Sequence, residues 1–229
     1  MNDRPVTGKI NENEWDAHWT SLDTKRSVFS LLSVATRRFI FQPSVAFYAR
    51  RFFSETGVFV EAGCGTAESS ARMGRNERKL VGIDFSEVAL RAAQVVGRMD
   101  ALVQADIFAI PCRSESVDGI WNLGVMEHFS EPQIRSCLRE FRRVLKPRGV
   151  IILFWPAERN ASRWILGPLE FILSRRRGSS FTFFPGEISR LHSKRQAQLL
   201  IESEGFEVKA IDFNWRTAFI HMVVVASAR

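Results

Sequence analysis

Short apolar runs rich in β-branched and aromatic residues alternate along the chain with segments whose apolar residues recur at helical spacing. This alternation predicts βαβ units around a parallel sheet, and therefore an α/β fold. Helical spacing is clear in Ser86 to Arg98, Gln133 to Leu145 and Ser193 to Glu204, and we expect helical segments between all of the first five strands. The predicted strands are Val58 to Glu61, Leu80 to Asp84, Ala101 to Ala105, Gly119 to Leu123, Val150 to Trp155, Phe206 to Phe213 and Ile220 to Ala226.

The connection between the last two predicted strands, Asn214 to Phe219, has no room for a crossover helix. These strands are therefore expected to pair as an antiparallel hairpin beside the parallel sheet. The predicted fold is a doubly wound, Rossmann-like sheet of seven strands, mostly parallel, with an antiparallel last strand. A plain dinucleotide-binding fold would instead be expected to end on another parallel strand.

Two regions lie outside this core. The amphipathic patterns Arg26 to Phe41 and Ser44 to Phe53 are split by Pro43, which predicts two helices ahead of the first strand. A second region, after the fifth strand, is longer than an ordinary loop and is expected to be a lid insertion. The predicted boundaries are residues 1–55 for the N-terminal helical cap, 56–229 for the main domain and 156–192 for the insertion within it.

The composition is that of a packed globular protein, since 45% of the 229 residues are hydrophobic and 25% are charged. No apolar run reaches the length of about 18 residues that a membrane span needs, and the polar N-terminus has no signal-peptide core, so we expect a soluble, cytoplasmic protein. Three scattered cysteines give little support to disulfides or a zinc site, and no metal is predicted. The net charge of +7 fits either solvated surface charge or a polyanionic partner.

The first candidate for chemistry is the Gly-rich turn that follows the first predicted strand. Glu61 ends that strand, and Gly63 and Gly65 come directly after it. These glycines would let the backbone turn tightly and approach a ligand, with the N-terminus of a following helix pointing partial positive charge at it.

Two further acids stand at the same carboxyl edge of the predicted sheet. Asp84 ends the second strand, where a carboxylate can accept hydrogen bonds from the hydroxyls of a ribose. Ser86 is the expected N-cap of the next helix, which would leave Asp84 free for a ligand. Asp106 directly follows the third strand. Three carboxyl groups on one edge predict a ligand site there.

Together these motifs resemble those of the class I S-adenosylmethionine-dependent methyltransferases, in particular small-molecule enzymes of the methyltransferase type 11 kind. The resemblance rests on E-A-G-C-G-T, V-G-I-D-F-S, Q-A-D-I-F-A-I-P, S-V-D-G-I-W-N-L-G-V-M-E-H-F, F-R-R-V-L-K-P-R-G-V-I-I-L and the late S-E-G-F. It covers residues 56–155 strongly and 193–229 moderately. Ala67 stands where many relatives carry a third glycine, and we expect a shifted helix contact there rather than lost binding.

The resemblance implies S-adenosylmethionine as the cofactor and assigns residues to it. Glu61 would lie near its amino group, Asp84 would hold the ribose hydroxyls, and Asp106 would accept from the adenine amine. His128 is the candidate base where the acceptor is a hydroxyl. The full set of implied cofactor residues is Glu61, Gly63, Gly65, Asp84, Phe85, Asp106, Ile107, Asn122 and Leu123.

The implied activity is methyl transfer by direct displacement to a small or lipid-like acceptor, with oxygen favoured over nitrogen or carbon. Nucleic-acid bases are disfavoured because the N-x-P-P-[YFW] pattern is absent. Residues 163–177, an apolar run beside three arginines, match either a lid helix or a peripheral membrane anchor. Two alternatives stay open: a non-catalytic adapter that keeps a nucleotide pocket, and a nicotinamide-dependent dehydrogenase. The oligomeric state is not indicated.

Overall fold

The computed structural model describes residues 34–74, 77–158 and 188–229. Its strands are β1 (Thr56–Ala62), β2 (Glu77–Asp84), β3 (Ala101–Gln104), β4 (Val117–Leu123), β5 (Leu145–Pro156), β6 (Phe206–Asp212) and β7 (His221–Ala228). They form one seven-stranded sheet in the order β3-β2-β1-β4-β5-β7-β6. Strands β1 to β5 pair in parallel, whereas β7 is antiparallel to both of its neighbours. The predicted fold is therefore confirmed.

The described α-helices are α1 (Gln42–Phe52), α2 (Glu87–Val96), α3 (Glu131–Val144) and α4 (Lys194–Ser203). Of the connections among the first five strands, only β2–β3 and β4–β5 contain one of these helices, so the prediction of a helix in every connection is wrong. After β1 the described chain forms only a 3-10 helix, Ser69–Arg72. The cause is local, since Gly63, Gly65, Ala67 and Gly74 all have positive φ, which cannot continue a right-handed helix.

Helix boundaries follow from capping residues. Ser86 is the N-cap of α2 and accepts a hydrogen bond from the Ala89 amide, and Gly97 ends that helix in the left-handed conformation. Ser130 and Gln133 form a capping box at the start of α3. Both helices thus begin directly after a serine.

The prediction that Pro43 separates two helices is wrong in its geometry. Residues 34–52 are continuously helical, and Arg37–Phe41 form a π-helical turn directly before α1. The Gln42 amide donates to the Arg37 carbonyl, five residues back. A proline has no amide hydrogen and clashes with the carbonyl of the residue four positions earlier, and the wider π turn accommodates both defects. The earlier part of the predicted first helix lies outside the described residues.

Helices cover both faces of the sheet. Val60 and Ile120 pack with α3 and α4 on one face, whereas Phe59 and Trp121 pack with α1 on the other. Because successive strand residues point to opposite faces, Glu61 shares the α1 face with Phe59. The position of an acid along its strand therefore determines its face of the sheet, and only acids on the same face can lie close together.

Candidate active site

The Gly-rich turn folds back onto the end of β2. Gly63 and Gly65 have φ values of 74° and 50°. The amides of Gly63 and Cys64 both donate to the Ile83 carbonyl, at 2.8 and 2.9 Å. The Gly65 amide donates to Asp84 Oδ2 at 2.8 Å. The turn is therefore held rigidly at the junction of β1 and β2, and the predicted helix N-terminus behind it is replaced by the short 3-10 helix.

Glu61 is a buried acid on the α1 face, only 2% exposed. Its Oε1 accepts a hydrogen bond from the Ser69 hydroxyl, and its Oε2 has no hydrogen-bond partner among the described residues. Burial raises the pKa of Glu61 to about 8, although the hydrogen bond from Ser69 lowers it, and the charge of Asp84 adds to the rise. At neutral pH the ligand-free carboxyl is mainly protonated, and a neighbouring cation would favour its ionised form.

Asp84 lies on the next strand and on the same face, since Leu80 packs in the cluster that contains α1 and side chains alternate along a strand. It is 6% exposed. Its Oδ1 accepts from the Ser86 amide at 3.0 Å and its Oδ2 from the Gly65 amide at 2.8 Å. Ser86 is therefore the helix cap as predicted, and Asp84 in addition holds the Gly-rich turn through the Gly65 amide. A carboxylate oxygen can accept more than one hydrogen bond, so hydroxyl groups of a ligand could also donate to Asp84.

The predicted adenine residues differ in their exposure. Phe85 is half-buried, and its carbonyl accepts from Gln104 Nε2 at 3.1 Å. Asp106 is exposed, and its Oδ1 accepts from the Phe108 amide at 3.0 Å. Ile107 is 6% exposed and packs in the core on the α3 face. Phe85 and Asp106 thus have surface available at the carboxyl edge, whereas Ile107 mainly anchors the loop after β3.

Asn122 ends the buried part of β4. It is 0% exposed, and neither Oδ1 nor Nδ2 of its amide has a hydrogen-bond partner among the described residues. Leaving a buried polar group unpaired costs about 1–3 kcal/mol. A ligand that hydrogen-bonds to this amide would therefore stabilise the fold. Its neighbour in sequence, Trp121, packs toward α1, so Asn122 points to the opposite face, while the adjoining Leu123 packs against the α1 cluster.

The candidate base, His128, lies in a short 3-10 helix, Met126–His128, directly after β4. The Glu127 carbonyl in this turn accepts from the Ile188 and Ser189 amides at 2.7 and 3.0 Å. The turn is therefore fixed to the chain that leads into α4. A concavity of about 680 Å³ lies beside it, lined by Ser130, Glu131, Ile134, Trp155, Glu158, Ile188, Ser189, Arg190, His192, Gln196 and Leu200.

Two contacts of the site were missed from sequence. Ser69 reaches Glu61 across the turn, and a Cβ added at Gly63 would lie 2.7 Å from Val125 Cγ2. The S-S pair after the Gly-rich turn was the available signal for Ser69, because hydroxyls often bond a nearby buried acid. No local signal identifies Val125, whose proximity depends on β4 lying beside β1.

The strand order and the antiparallel β7 are those of the class I methyltransferase fold, and the Gly-rich turn after β1 and the acid ending β2 occupy its carboxyl edge. Comparison with known families agrees, since residues 60–153 match the model described as methyltransferase domain. The resemblance predicted from sequence is therefore confirmed over this stretch, which is less than half of the chain. Among the described residues, no helix is both long and apolar enough to cross a membrane.

Curated relatives share this central part. A malonyl-[acyl-carrier protein] O-methyltransferase from Erwinia pyrifoliae is 36% identical over 94 residues, which are 41% of this chain and 35% of that protein. A probable S-adenosylmethionine-dependent methyltransferase from Mycobacterium tuberculosis is 29% identical over 97 residues, which are 42% of this chain and 35% of that protein. The chain thus spans about a third of the length of these relatives.

Solved structures share the fold over a larger part of the chain. Magnesium protoporphyrin IX methyltransferase from Synechocystis, with bound S-adenosylmethionine, has a TM-score of 0.67 at 14% identity and covers 100% of both chains. The [4+2]-cyclase SpnF has a TM-score of 0.61 at 18% identity, covering 81% of this chain and 80% of that one. The same fold therefore carries more than one kind of reaction.

Proposed function

We propose that the chain binds S-adenosylmethionine at the carboxyl edge of β1 to β4 and transfers its methyl group to a small or lipid-like acceptor, with oxygen favoured as the acceptor atom. The observation that carries this proposal is the pair Glu61 and Asp84, two buried acids on one face beside the Gly63 and Gly65 turn. In the ligand-free fold, ionising Glu61 is unfavourable because of desolvation and the charge of Asp84. A ligand with an ammonium group, a sulfonium and ribose hydroxyls would relieve both.

The described residues fit such a ligand. Glu61 would ionise beside the amino group, and its unpaired Oε2 would accept a hydrogen bond from it. Asp84 would accept hydrogen bonds from the ribose hydroxyls. Phe85 would pack on the adenine and Asp106 would accept from its exocyclic amine. Gly63, Gly65, Ile107, Asn122 and Leu123 would complete the lining.

S-adenosylmethionine supplies an already activated methyl group when bound. The chain's own part is then to exclude water, to tolerate positive charge near the sulfur and to align the acceptor with the methyl group. The unpaired amide of Asn122 is suited to orient a polar group at the end of β4. His128 would remove a proton from a hydroxyl acceptor, as a general base on the turn that follows β4.

An oxygen acceptor is supported by the O-methyltransferase relative. A concavity of about 680 Å³ beside the His128 turn has the volume of a small-molecule site. Its lining combines apolar side chains such as Trp155 and Ile134 with polar ones such as Ser130 and His192. This mixture suits an acceptor with an apolar body and an oxygen-bearing end. Residues 163–177, the other predicted acceptor and membrane segment, lie outside the described residues.

Calorimetry on the full chain tests the cofactor part of the proposal. We expect S-adenosylmethionine and its demethylated product to bind and nicotinamide dinucleotides not to bind. Asp84→Asn should weaken the binding at least about tenfold, because hydrogen bonds to a charged acceptor are lost. The matched control is Glu77→Gln, an exposed acid on the same strand, which should bind as the wild type does. Binding of a dinucleotide alone would favour the dehydrogenase alternative.

A transfer assay separates the enzyme from an adapter. Incorporation of labelled methyl groups should be measured with panels of carboxylic acids, phenols and acyl carrier conjugates. Transfer to an oxygen acceptor supports the proposal. Tight cofactor binding without transfer to any acceptor, in the presence of a cell extract, would instead favour the adapter or a reaction of another kind.

A further inference from the structure

The turn between β6 and β7, residues 213–220, carries exposed aromatic side chains. It lies at the carboxyl edge of the sheet, because His221 at the start of β7 pairs with Pro156 at the end of β5. Trp215 is 69% exposed and Phe219 is 46% exposed. Two large apolar side chains therefore face solvent at the same edge as the candidate active site.

The backbone of this turn is held in an unfavourable conformation. Ala218 and Phe219 are consecutive non-glycine residues with φ values of 49° and 53°. This left-handed region is unfavourable for residues that carry a Cβ. The Phe219 amide donates to the Asn214 carbonyl at 3.1 Å, and Thr217 Oγ1 donates to the His221 carbonyl at 2.8 Å. These bonds hold the turn in its unfavourable backbone conformation, and Phe219 is thereby kept at the surface.

Arg216 in this turn contacts two aromatic rings. The Arg216 guanidinium lies 3.8 Å from the ring centroid of Phe47 and 4.6 Å from that of Trp215. The Ser44 hydroxyl donates to the Arg216 carbonyl and joins the turn to α1. The cation is thus pre-positioned beside an exposed indole.

The adjoining π-helical turn adds to this surface. It contacts Trp215–Thr217, and its Phe39 is 68% exposed next to Arg38. The segments 34–54 and 213–221 together contain five arginines and no aspartate or glutamate. Among the described residues, no carboxylate pairs with Arg38, Arg50, Arg51 or Arg216.

From this arrangement we infer that the chain docks on anionic phospholipid surfaces through an aromatic–arginine patch formed by Arg38, Phe39, Trp215, Arg216 and Phe219. Tryptophan and phenylalanine insert at the level of lipid headgroups, and arginines bind the anionic phosphates. Docking would turn the carboxyl edge of the sheet toward the membrane. The inference concerns a second surface and does not depend on methyl transfer.

Vesicle flotation of the full chain tests the patch. The chain should float with vesicles of phosphatidylcholine and phosphatidylglycerol, and much less with phosphatidylcholine alone or at high salt. Arg216→Gln should weaken partitioning about fivefold, and Trp215→Ser combined with it should weaken partitioning further. Leu199→Ser, which removes an exposed apolar side chain on α4, is the matched control and should float as the wild type does.

A second measurement does not depend on the stability of these variants. Brominated phospholipid tails should quench the fluorescence of the vesicle-bound chain, and Trp215→Phe should lose a distinct part of that quenching while still floating. Cofactor binding by calorimetry should be unchanged in every patch variant, which separates failure of the patch from failure of the proposed function.

Several results would overturn the inference. One is absence of flotation with anionic vesicles. Others are full flotation of the double variant, or loss of flotation only when Arg175, Arg176 and Arg177 are neutralised. A wild-type dimer in sedimentation that dissociates in Trp215→Ser, without lipid binding, would assign the patch to self-association instead.

Discussion

The raised pKa of Glu61 predicts an unusual pH dependence of stability, which Glu61→Gln should remove. In the unfolded chain this carboxyl ionises near pH 4.5, whereas burial keeps it protonated in the fold up to about pH 8. Its favourable contribution is therefore complete below pH 4.5 and is lost as the pH rises toward 8. A pKa difference of one corresponds to about 1.4 kcal/mol, so the loss reaches about 3 kcal/mol at pH 7. Glutamine keeps the acceptor for the Ser69 hydroxyl and cannot ionise.

Urea unfolding without cofactor, at pH 5 and pH 8, measures this difference. Glu61→Gln should be more stable than the wild type at pH 8 and nearly equal to it at pH 5, while Glu77→Gln should follow the wild type at both. In the wild type, cofactor binding near pH 7 should release a proton, because the cation favours ionised Glu61, and calorimetry in buffers of different ionisation enthalpy detects it. Parallel pH profiles for wild type and Glu61→Gln would refute the account of a buried, protonated acid.

Three other changes have defined outcomes. Gly63→Ala should lower the free energy of unfolding by about 1–3 kcal/mol and weaken cofactor binding, because Gly63 has positive φ and the added Cβ would clash with Val125. Val125→Ala combined with it should restore part of the stability. A Gly63→Ala variant as stable as the wild type would contradict the close approach to Val125. Burial lowers the pKa of His221 to about 3, so the wild type should lose stability as the pH falls below 6.5, and His221→Phe should flatten that loss in urea titrations; equal slopes would argue against a buried neutral imidazole. Tyr48→Phe should cost about 1–3 kcal/mol in the same assay through its 2.8 Å bond to Asp212, and an unchanged midpoint would show that this bond contributes nothing.

Much of the sheet could be predicted because its signals are local. The apolar runs identified every strand in the described part of the chain, and the short connection before β7 indicated its antiparallel pairing. Boundaries were less accurate, as β5 begins at Leu145 rather than Val150. The difference arises from pairing with β4, where Val117 lies opposite Leu145 before a register shift. The sequence of one strand does not indicate how far a neighbouring strand extends its pairing.

The residues of the candidate site could be predicted from sequence, but the hydrogen bonds among them could not. Glu61 and Asp84 stand out in sequence because each ends a strand with an acid. That Gly65 donates to Asp84, 19 residues away, depends on β1 lying beside β2, and the sequence near Asp84 indicated only the Ser86 cap. The missing helix after β1 has a similar cause, since Ala67 adopts positive φ although alanine favours helices.

The most direct test of the central claim is a crystal structure of the full chain with S-adenosylhomocysteine. We expect the ribose hydroxyls to lie within hydrogen-bonding distance of the Asp84 carboxylate and the amino group to lie on the Glu61 side of the glycine turn. A nucleoside bound elsewhere on the molecule, or bound at this edge with its ribose away from Asp84, would contradict it.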